Sequence, residues 1–153
     1  MSLINDRLKQ LNIVLPTAPA PAANYVPYVK SNKLIFVSGQ IPMLNGELVT
    51  GKIGKNIEIE DAKTAARLCG LAIVSQLNEA TDLDLDKIKK IIKLGGFVNC
   101  IDEFTQQPEI INGASDLMVE VFGDKGKHSR FAVGTNSLPR NVVVEIEAIA
   151  EIN

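Results

Sequence analysis

The sequence predicts an α+β domain in which two long helices cover one face of a β-sheet. Residues 58–80 and 108–123 carry apolar side chains at the spacing of amphipathic helices. Short runs rich in β-branched residues precede, separate and follow these two segments. The 153 residues, 46% of them hydrophobic, suit one domain over 1–153 with its own core. The order of elements along the chain, namely strands, a helix, a strand, a helix and strands, predicts one helical layer packed on one sheet.

The first third of the chain predicts a short extra helix and then a group of strands. Residues 3–11 have apolar residues at helical spacing after Ser2, which suits an N-cap. The proline-rich residues 16–27 must be extended or looped, because proline breaks both helix and ladder. Residues 34–37 form a buried strand that ends at Gly39, where the missing side chain lets a ligand or another chain approach the backbone. Asn45-Gly46 then marks a turn.

The middle of the chain supplies the two helices and the strand between them. The first helix has many alanines on its apolar stripe, which predicts close packing against the sheet. Residues 91–100 predict a strand that presents one face of alternating residues, namely Ile92, Leu94, Gly96 and Val98. Pro108 suits the first turn of the second helix and Gly123 its end.

The last stretch predicts a strand over residues 131–134, a connection, and a second strand over 142–149. One face of the second strand is entirely apolar, whereas the other places Glu145 between Val143 and Ile149. A carboxylate buried among apolar side chains needs a cation nearby, and Arg130 on the preceding strand is the nearest candidate in sequence. The alternative is that these charges are solvated, as most are. Because the second face is too apolar for water, we expect a homo-oligomer with sites at subunit boundaries.

Charge, hydrophobicity and cysteine spacing limit the kinds of function that the protein could have. The net charge of -2 gives no general attraction to nucleic acid. No apolar run is long enough to span a bilayer, and the first residues lack the apolar core of a signal peptide, so a cytoplasmic protein is expected. Cys69 and Cys100 have no metal-ligand spacing and predict reduced structural thiols.

Several short motifs occur together in one order. Residues 38–42 read SGQIP, residues 111–114 read INGA, Arg130 follows, and Leu138-Pro139 precedes VEIEAIA at residues 144–150. From about Tyr25 to the C-terminus this pattern resembles the reactive-intermediate deaminase family, Rid or YjgF. The resemblance implies a chorismate-mutase-like α+β fold with two long helices on one face of a mixed β-sheet, assembled as a homotrimer. It also implies hydrolysis of enamines and imines, such as 2-aminoacrylate, to 2-keto acids and ammonia in clefts between subunits, without cofactor or metal.

The same resemblance assigns roles to residues. Arg130 matches the arginine that grips the substrate carboxylate, and Glu145 matches the acidic residue beside the attacking water. The cleft lining that it implies consists of Gly39, Asn112 on the second helix, and either Tyr25 or Tyr28. Ala132 stands where well-known deaminases often carry a cysteine. This change, the extra N-terminal helix and the long loop between residues 80 and 90 indicate a divergent branch.

Two other functions remain open. One is a non-catalytic trimer that binds small carboxylates or a protein partner, which Ala132 favours because it offers no polar group. The other is ribonuclease activity with His128 as general base beside Lys127, which is less favoured. A lone histidine in a charged loop is usually solvated, and the net charge opposes RNA binding.

Overall fold

A five-stranded sheet and two long helices make up most of the molecule. The computed structural model describes residues 2–21 and 23–153. The strands are β1 (Tyr28–Ser31), β2 (Leu34–Gln40), β3 (Met43–Leu44), β4 (Glu47–Leu48), β5 (Ile88–Asn99), β6 (Ser129–Thr135) and β7 (Val144–Ile152). The helices are α1 (Leu3–Gln10), α2 (Ile59–Ala80) and α3 (Gln107–Phe122). Each predicted element is present, with ends that differ by at most three residues, and β1 is a strand that the sequence did not predict.

The sheet is mixed, as the resemblance implied. Its strand order is β1-β2-β7-β5-β6, and β3 pairs with β4 in a separate small hairpin. Only β5 and β6 pair in parallel within the described sheet, because α3 carries the chain back between them. The other neighbours are antiparallel. The predicted α+β fold class is therefore confirmed.

One face of the sheet packs against the helical layer. From β5 and β7 this face presents Leu94, Val98, Val144, Ile146 and Ala148, all buried. Small residues bring α2 and α3 close together, since a Cβ at Gly113 would overlap the Lys63 backbone carbonyl. The alanine-rich stripe of α2 is likewise buried, which confirms its predicted close packing.

A bulge in β5 changes which isoleucine faces the core. The register with β7 shifts between Ile91 and Lys93, so Ile91 and Leu94 both point toward the helices. Ile91 is fully buried and Ile92 is 37% exposed. The prediction that Ile92 shares a face with Leu94 is therefore wrong, because strict alternation assumed a strand without a bulge.

The other face of the sheet, here called the open face, has no described element packed on it. Large apolar side chains lie exposed there, including Phe36 at 41%, Phe97 at 40% and Val133 at 43%. The ring centroids of Phe97 and Phe131 are 5.2 Å apart, edge to face. Val143, which the pattern also placed on this face, is instead fully buried, and its N–H donates to the Val49 carbonyl.

The N-terminal segment is fastened to the outside of the helical layer. The Leu3 and Ile4 N–H groups at the start of α1 each donate to the Asp86 carboxylate at 2.9 Å. Farther along, the Ser75 hydroxyl donates to the Pro16 carbonyl at 2.8 Å. None of the helices within residues 2–21 and 23–153 has the length and apolar content needed to cross a bilayer.

Candidate functional site

The strands that carry Arg130 and Glu145 are not neighbours, because β5 lies between them. Arg130 pairs with Leu94 of β5, and Glu145 pairs with Phe97 of the same strand. The side chains therefore start about two strand spacings apart across the sheet and three residues apart along it, roughly 14 Å in all. The expectation that Arg130 on the preceding strand is the cation next to Glu145 is therefore wrong within one chain. Residues 136–143 turn the chain past the end of β5, and residues Arg140 and Asn141 in that connection have positive φ.

The two side chains also point to opposite faces. The Arg130 guanidinium contacts α3, so it lies on the helical side of the sheet. Glu145 alternates with Val144 and Ile146, which face the core, and its carboxylate lies on the open face. A small ligand cannot touch both side chains of one chain.

Arg130 is partly buried at the edge of the sheet and held by two contacts with α3. Its Nη1 donates to Ser115 Oγ at 3.0 Å, and its Nη2 donates to the Pro108 carbonyl at 3.2 Å. Asn112 lies between these two contacts on the same stripe of the helix, four residues after one and three before the other. Ala132, two residues along β6, points to the same side and packs against the core. We call this cluster the Arg130 half-site.

Ser115 and His128 belong to the same half-site. Ser115 was not predicted as a site residue, although its position three residues after Asn112 places the two side chains on the same face of the helix. His128 Nε2 lies 2.9 Å from Ser115 Oγ, and its Nδ1 bonds to the Gly126 carbonyl. His128 is partly buried, so its expected solvation in a charged loop is wrong. Burial lowers the pKa of His128, and the charges of Arg130 and Lys90 lower it further, against the bond to Gly126.

The guanidinium of Arg130 has no acidic partner among residues 2–21 and 23–153. The ion pairs of that part of the chain all lie elsewhere, such as Arg67 with Glu120 at 2.7 Å. A planar fork with free N–H groups and no carboxylate is suited to an external anion, which it can bind through two parallel hydrogen bonds.

On the open face, Gly39 and Glu145 lie against each other. A Cβ at Gly39 would lie 3.0 Å from Cδ of Glu145 and would overlap Oε1. Burial raises the pKa of Glu145, and the neighbouring charge of Glu147 raises it further. Within the described residues, no lysine or arginine forms an ion pair with Glu145. A carboxyl group with a raised pKa is suited to proton transfer.

The two tyrosines occupy different places. Tyr28 pairs with Val37 on the helical side and lies near Gln76 of α2, at the sheet edge farthest from β6. Tyr25 is 47% exposed in the loop before β1. The carbonyl of the next residue, Val26, accepts a hydrogen bond from Ser38 Oγ at 2.8 Å, so this loop runs beside Gly39. We call Gly39, Glu145, Ser38 and Tyr25 the Glu145 half-site.

The structure thus divides the predicted site residues into two groups. Arg130, Asn112 and Ala132 lie together, Gly39 and Glu145 lie together with the Tyr25 loop, and Tyr28 joins neither. One group can bind a carboxylate and the other can move a proton. Across the described ranges no three His, Cys, Asp or Glu side chains form a cluster that could hold a metal ion.

Comparison with known proteins agrees with this fold. The family described as "YjgF/chorismate_mutase-like, putative endoribonuclease" matches residues 5–152. The protein TCP17 of Trypanosoma cruzi is 45% identical over 148 residues, which is 95% of this chain and 92% of that protein. A crystal structure of an Agrobacterium tumefaciens protein of unknown function has a TM-score of 0.91 and 48% identity, over 98% of this chain and 92% of that one.

A relative with a named activity is more distant. The 2-iminobutanoate/2-iminopropanoate deaminase of Dermatophagoides farinae is 29% identical over 142 residues, covering 92% of this chain and 94% of that protein. The family match extends over nearly the whole length, and the relatives have about the same length as this chain. The chain therefore belongs to the Rid/YjgF family of chorismate-mutase-like proteins.

Proposed function

We propose that this protein is a homotrimer that hydrolyses imines and enamines of the 2-aminoacrylate type to 2-keto acids and ammonia. Its sites would lie in clefts between subunits, where one copy supplies the Arg130 half-site and a second copy supplies the Glu145 half-site. No cofactor or metal takes part. The deaminase name of the Dermatophagoides farinae relative supports the reaction class.

The observation that carries the proposal is the separation of the two half-sites in one chain. Arg130 has no acid and Glu145 no cation among the described residues, and the two point to opposite faces of the sheet. The exposed Phe36, Phe97 and Val133 make the open face suitable for burial against another copy. A second copy that covers this face could bring its own Arg130 to the edge of the cleft beside Glu145.

The chemistry follows from the two groups. The Arg130 fork binds the substrate carboxylate and fixes the orientation of the adjacent C=N carbon. Ionised Glu145 accepts a proton from water as the water oxygen forms a bond to that carbon of the protonated imine, and the C=N electron pair moves to nitrogen to give a neutral carbinolamine. Protonated Glu145 then returns its proton to the nitrogen. The C–N bond breaks as the hydroxyl proton passes to Glu145 and the C=O bond forms, so ammonia and the 2-keto acid leave, and Glu145 releases this last proton to water. The raised pKa of Glu145 suits it to both transfers.

Mixed oligomers test both the reaction and the composite site. Arg130→Ala and Glu145→Gln are each expected to retain only a small residual activity when expressed separately and assayed for keto-acid release from 2-aminoacrylate generated by a dehydratase. In a random trimer of the two variants, each mixed assembly contains one intact cleft, so coexpression should restore about one quarter of wild-type activity. Each variant expressed alone serves as the control, and size-exclusion chromatography checks its assembly.

Two results would count against the proposal. Mixed oligomers that form, as shown by two affinity tags, but remain inactive would refute the composite site. A wild-type protein that does not accelerate hydrolysis of any of a panel of amino-acid-derived imines would refute the reaction.

The second candidate is a trimer that binds small carboxylates without catalysis, and Ala132 favours it. This side chain lies beside Arg130 on β6 and offers no polar group to the half-site. Titration calorimetry separates the two functions: saturable keto-acid binding that Arg130→Ala abolishes, in a protein that leaves imines untouched, would establish the binding function.

A further inference from the structure

A chain of directed hydrogen bonds ends on the Arg130 guanidinium. The Gly126 carbonyl can only accept, so the His128 Nδ1 that bonds to it carries the hydrogen. In a neutral ring the other nitrogen, Nε2, is then an acceptor. Ser115 Oγ lies 2.9 Å from that nitrogen, so the serine hydroxyl donates to it. This leaves the lone pairs of Ser115 Oγ for the Nη1–H of Arg130, 3.0 Å away.

The surroundings of His128 favour the neutral imidazole ring that this series of hydrogen bonds requires. The imidazole is partly buried, and the charges among the described residues that act on its pKa are both cationic, Lys90 of β5 and Arg130 of β6. Burial and then these two charges lower its pKa, although the bond to Gly126 acts in the opposite direction. A protonated ring would present an N–H to Ser115 instead of an acceptor, and the direction of the chain would be lost.

The contact with Ser115 determines how freely the guanidinium can turn. Arg130 is held at two points, Nη1 on Ser115 and Nη2 on the Pro108 carbonyl. Two points on opposite ends of a planar group fix its orientation, whereas a single point lets it rotate. With both contacts in place, one N–H on each terminal nitrogen and the Nε–H stay free for a ligand.

We infer that Ser115 and His128 are positioning residues for Arg130, which orient its guanidinium so that the free N–H groups face a carboxylate. The identity of that carboxylate as an imine substrate rests on the proposed function. The orientation itself does not, and it can be measured in a protein that has no activity. The inference adds two residues that the comparison with the Rid/YjgF family does not assign.

Nuclear magnetic resonance of the full-length protein provides the test, because His128 is the only histidine in the chain. The imidazole ¹⁵N shifts report which nitrogen carries the hydrogen, and separate Nη signals of an arginine report slow rotation of its guanidinium. The Arg130 signals are assigned by their absence in Arg130→Lys. Ser115→Ala removes the hydroxyl and Ser115→Thr keeps it. Asp116→Ala, an exposed position on the same helix, is the control for helix stability.

In the wild type we expect hydrogen on Nδ1, an acceptor at Nε2, and separate Nη signals for Arg130. Ser115→Ala should shift the Nε2 resonance and merge the Nη signals, and Ser115→Thr should restore both. Asp116→Ala should change neither. Hydrogen on Nε2 in the neutral ring, or Nη signals that are the same in Ser115→Ala as in the wild type, would overturn the inference.

Kinetics distinguish failure of the inference from failure of the proposed function. If imine hydrolysis is present, Ser115→Ala should lower kcat about tenfold through misorientation while KM changes less, because the charge of Arg130 is retained. Ser115→Thr should recover most of the loss. If hydrolysis is absent in the wild type and the resonances behave as expected, the proposed function fails while the positioning role stands.

Discussion

Gly39→Ala tests whether the close approach of the β2 backbone sets the position of the Glu145 carboxylate. An added Cβ would lie 3.0 Å from Cδ and 3.1 Å from Cγ of Glu145, and would overlap Oε1. Gly39 is not among the described glycines with positive φ, so alanine brings no backbone strain there. The overlap involves the end of a flexible side chain, so we expect Glu145 to move and the strand to stay in place.

The expected effect is small on stability and large on activity. A forced change of rotamer at Glu145 costs about 1 kcal/mol, which should be the full loss in free energy of unfolding. Relief of the overlap requires the carboxylate to move by about 1 Å, and a displacement of that size in a reacting group lowers kcat about 100-fold. Urea unfolding and steady-state imine hydrolysis measure the two quantities on one preparation.

A double-mutant cycle shows whether the loss acts through Glu145. If it does, Gly39→Ala in a Glu145→Gln background should lower kcat no further than Glu145→Gln alone. The reasoning is refuted if Gly39→Ala retains wild-type kcat. It is also refuted if the losses of the two single variants multiply in the double variant.

Four further predictions use other parts of the structure. Arg130→Lys should lower imine hydrolysis steeply with little change in oligomeric state or Tm, because lysine lacks the planar fork; retained activity in steady-state assays would make Arg130 a structural charge. Gly113→Ala should lower the free energy of unfolding in urea by roughly 1–3 kcal/mol, since the new Cβ overlaps a backbone carbonyl of α2; an unchanged midpoint would mean that the helices separate without cost. Glu147→Gln should move the acid limb of the pH–rate profile to lower pH, because the charge of Glu147 adds to burial in raising the pKa of Glu145. Hydrogen bonds from the Ile4 and Leu3 N–H groups lower the pKa of Asp86. The docking of α1 is therefore stabilised above the ordinary aspartate pKa, and this stabilisation is lost as the pH falls through the lowered pKa. Hydrogen exchange of the amides of residues 3–10 should become faster at that low pH, and in Asp86→Asn it should already be faster at pH 7.

The long elements could be predicted because each repeats one pattern over many residues. The stripe of α2 continues for 22 residues, and β7 keeps its alternation of buried and accessible positions over nearly all of its length. The strand β1 has four residues, of which three are exposed, so it offers no alternation to detect. The bulge between Ile91 and Lys93 was equally hidden, because it depends on the register with β7.

The arrangement of the site depended on contacts between distant parts of the chain. Arg130 and Glu145 are close in sequence, and the two strands predicted over residues 131–134 and 142–149 are joined by a short connection, which is typical of adjacent strands. Parallel pairing of β6 with β5, set by the return of α3, separates them instead. Ser115 was missed, and His128 was considered only as a ribonuclease base, for the same reason: their hydrogen bond joins a helix to the residue before a strand.

The strand order also links assembly to catalysis in the proposed trimer. Glu145 projects from β7, a central strand, onto the open face, whereas Arg130 lies on the edge strand β6. A second copy that covers Phe36 and Phe97 would remove more water from Glu145, and a buried carboxylate without a cation costs several kcal/mol. A partner that brings its Arg130 to this place offsets that cost. Assembly that buries the apolar face therefore favours the same approach of arginine to glutamate that imine hydrolysis requires.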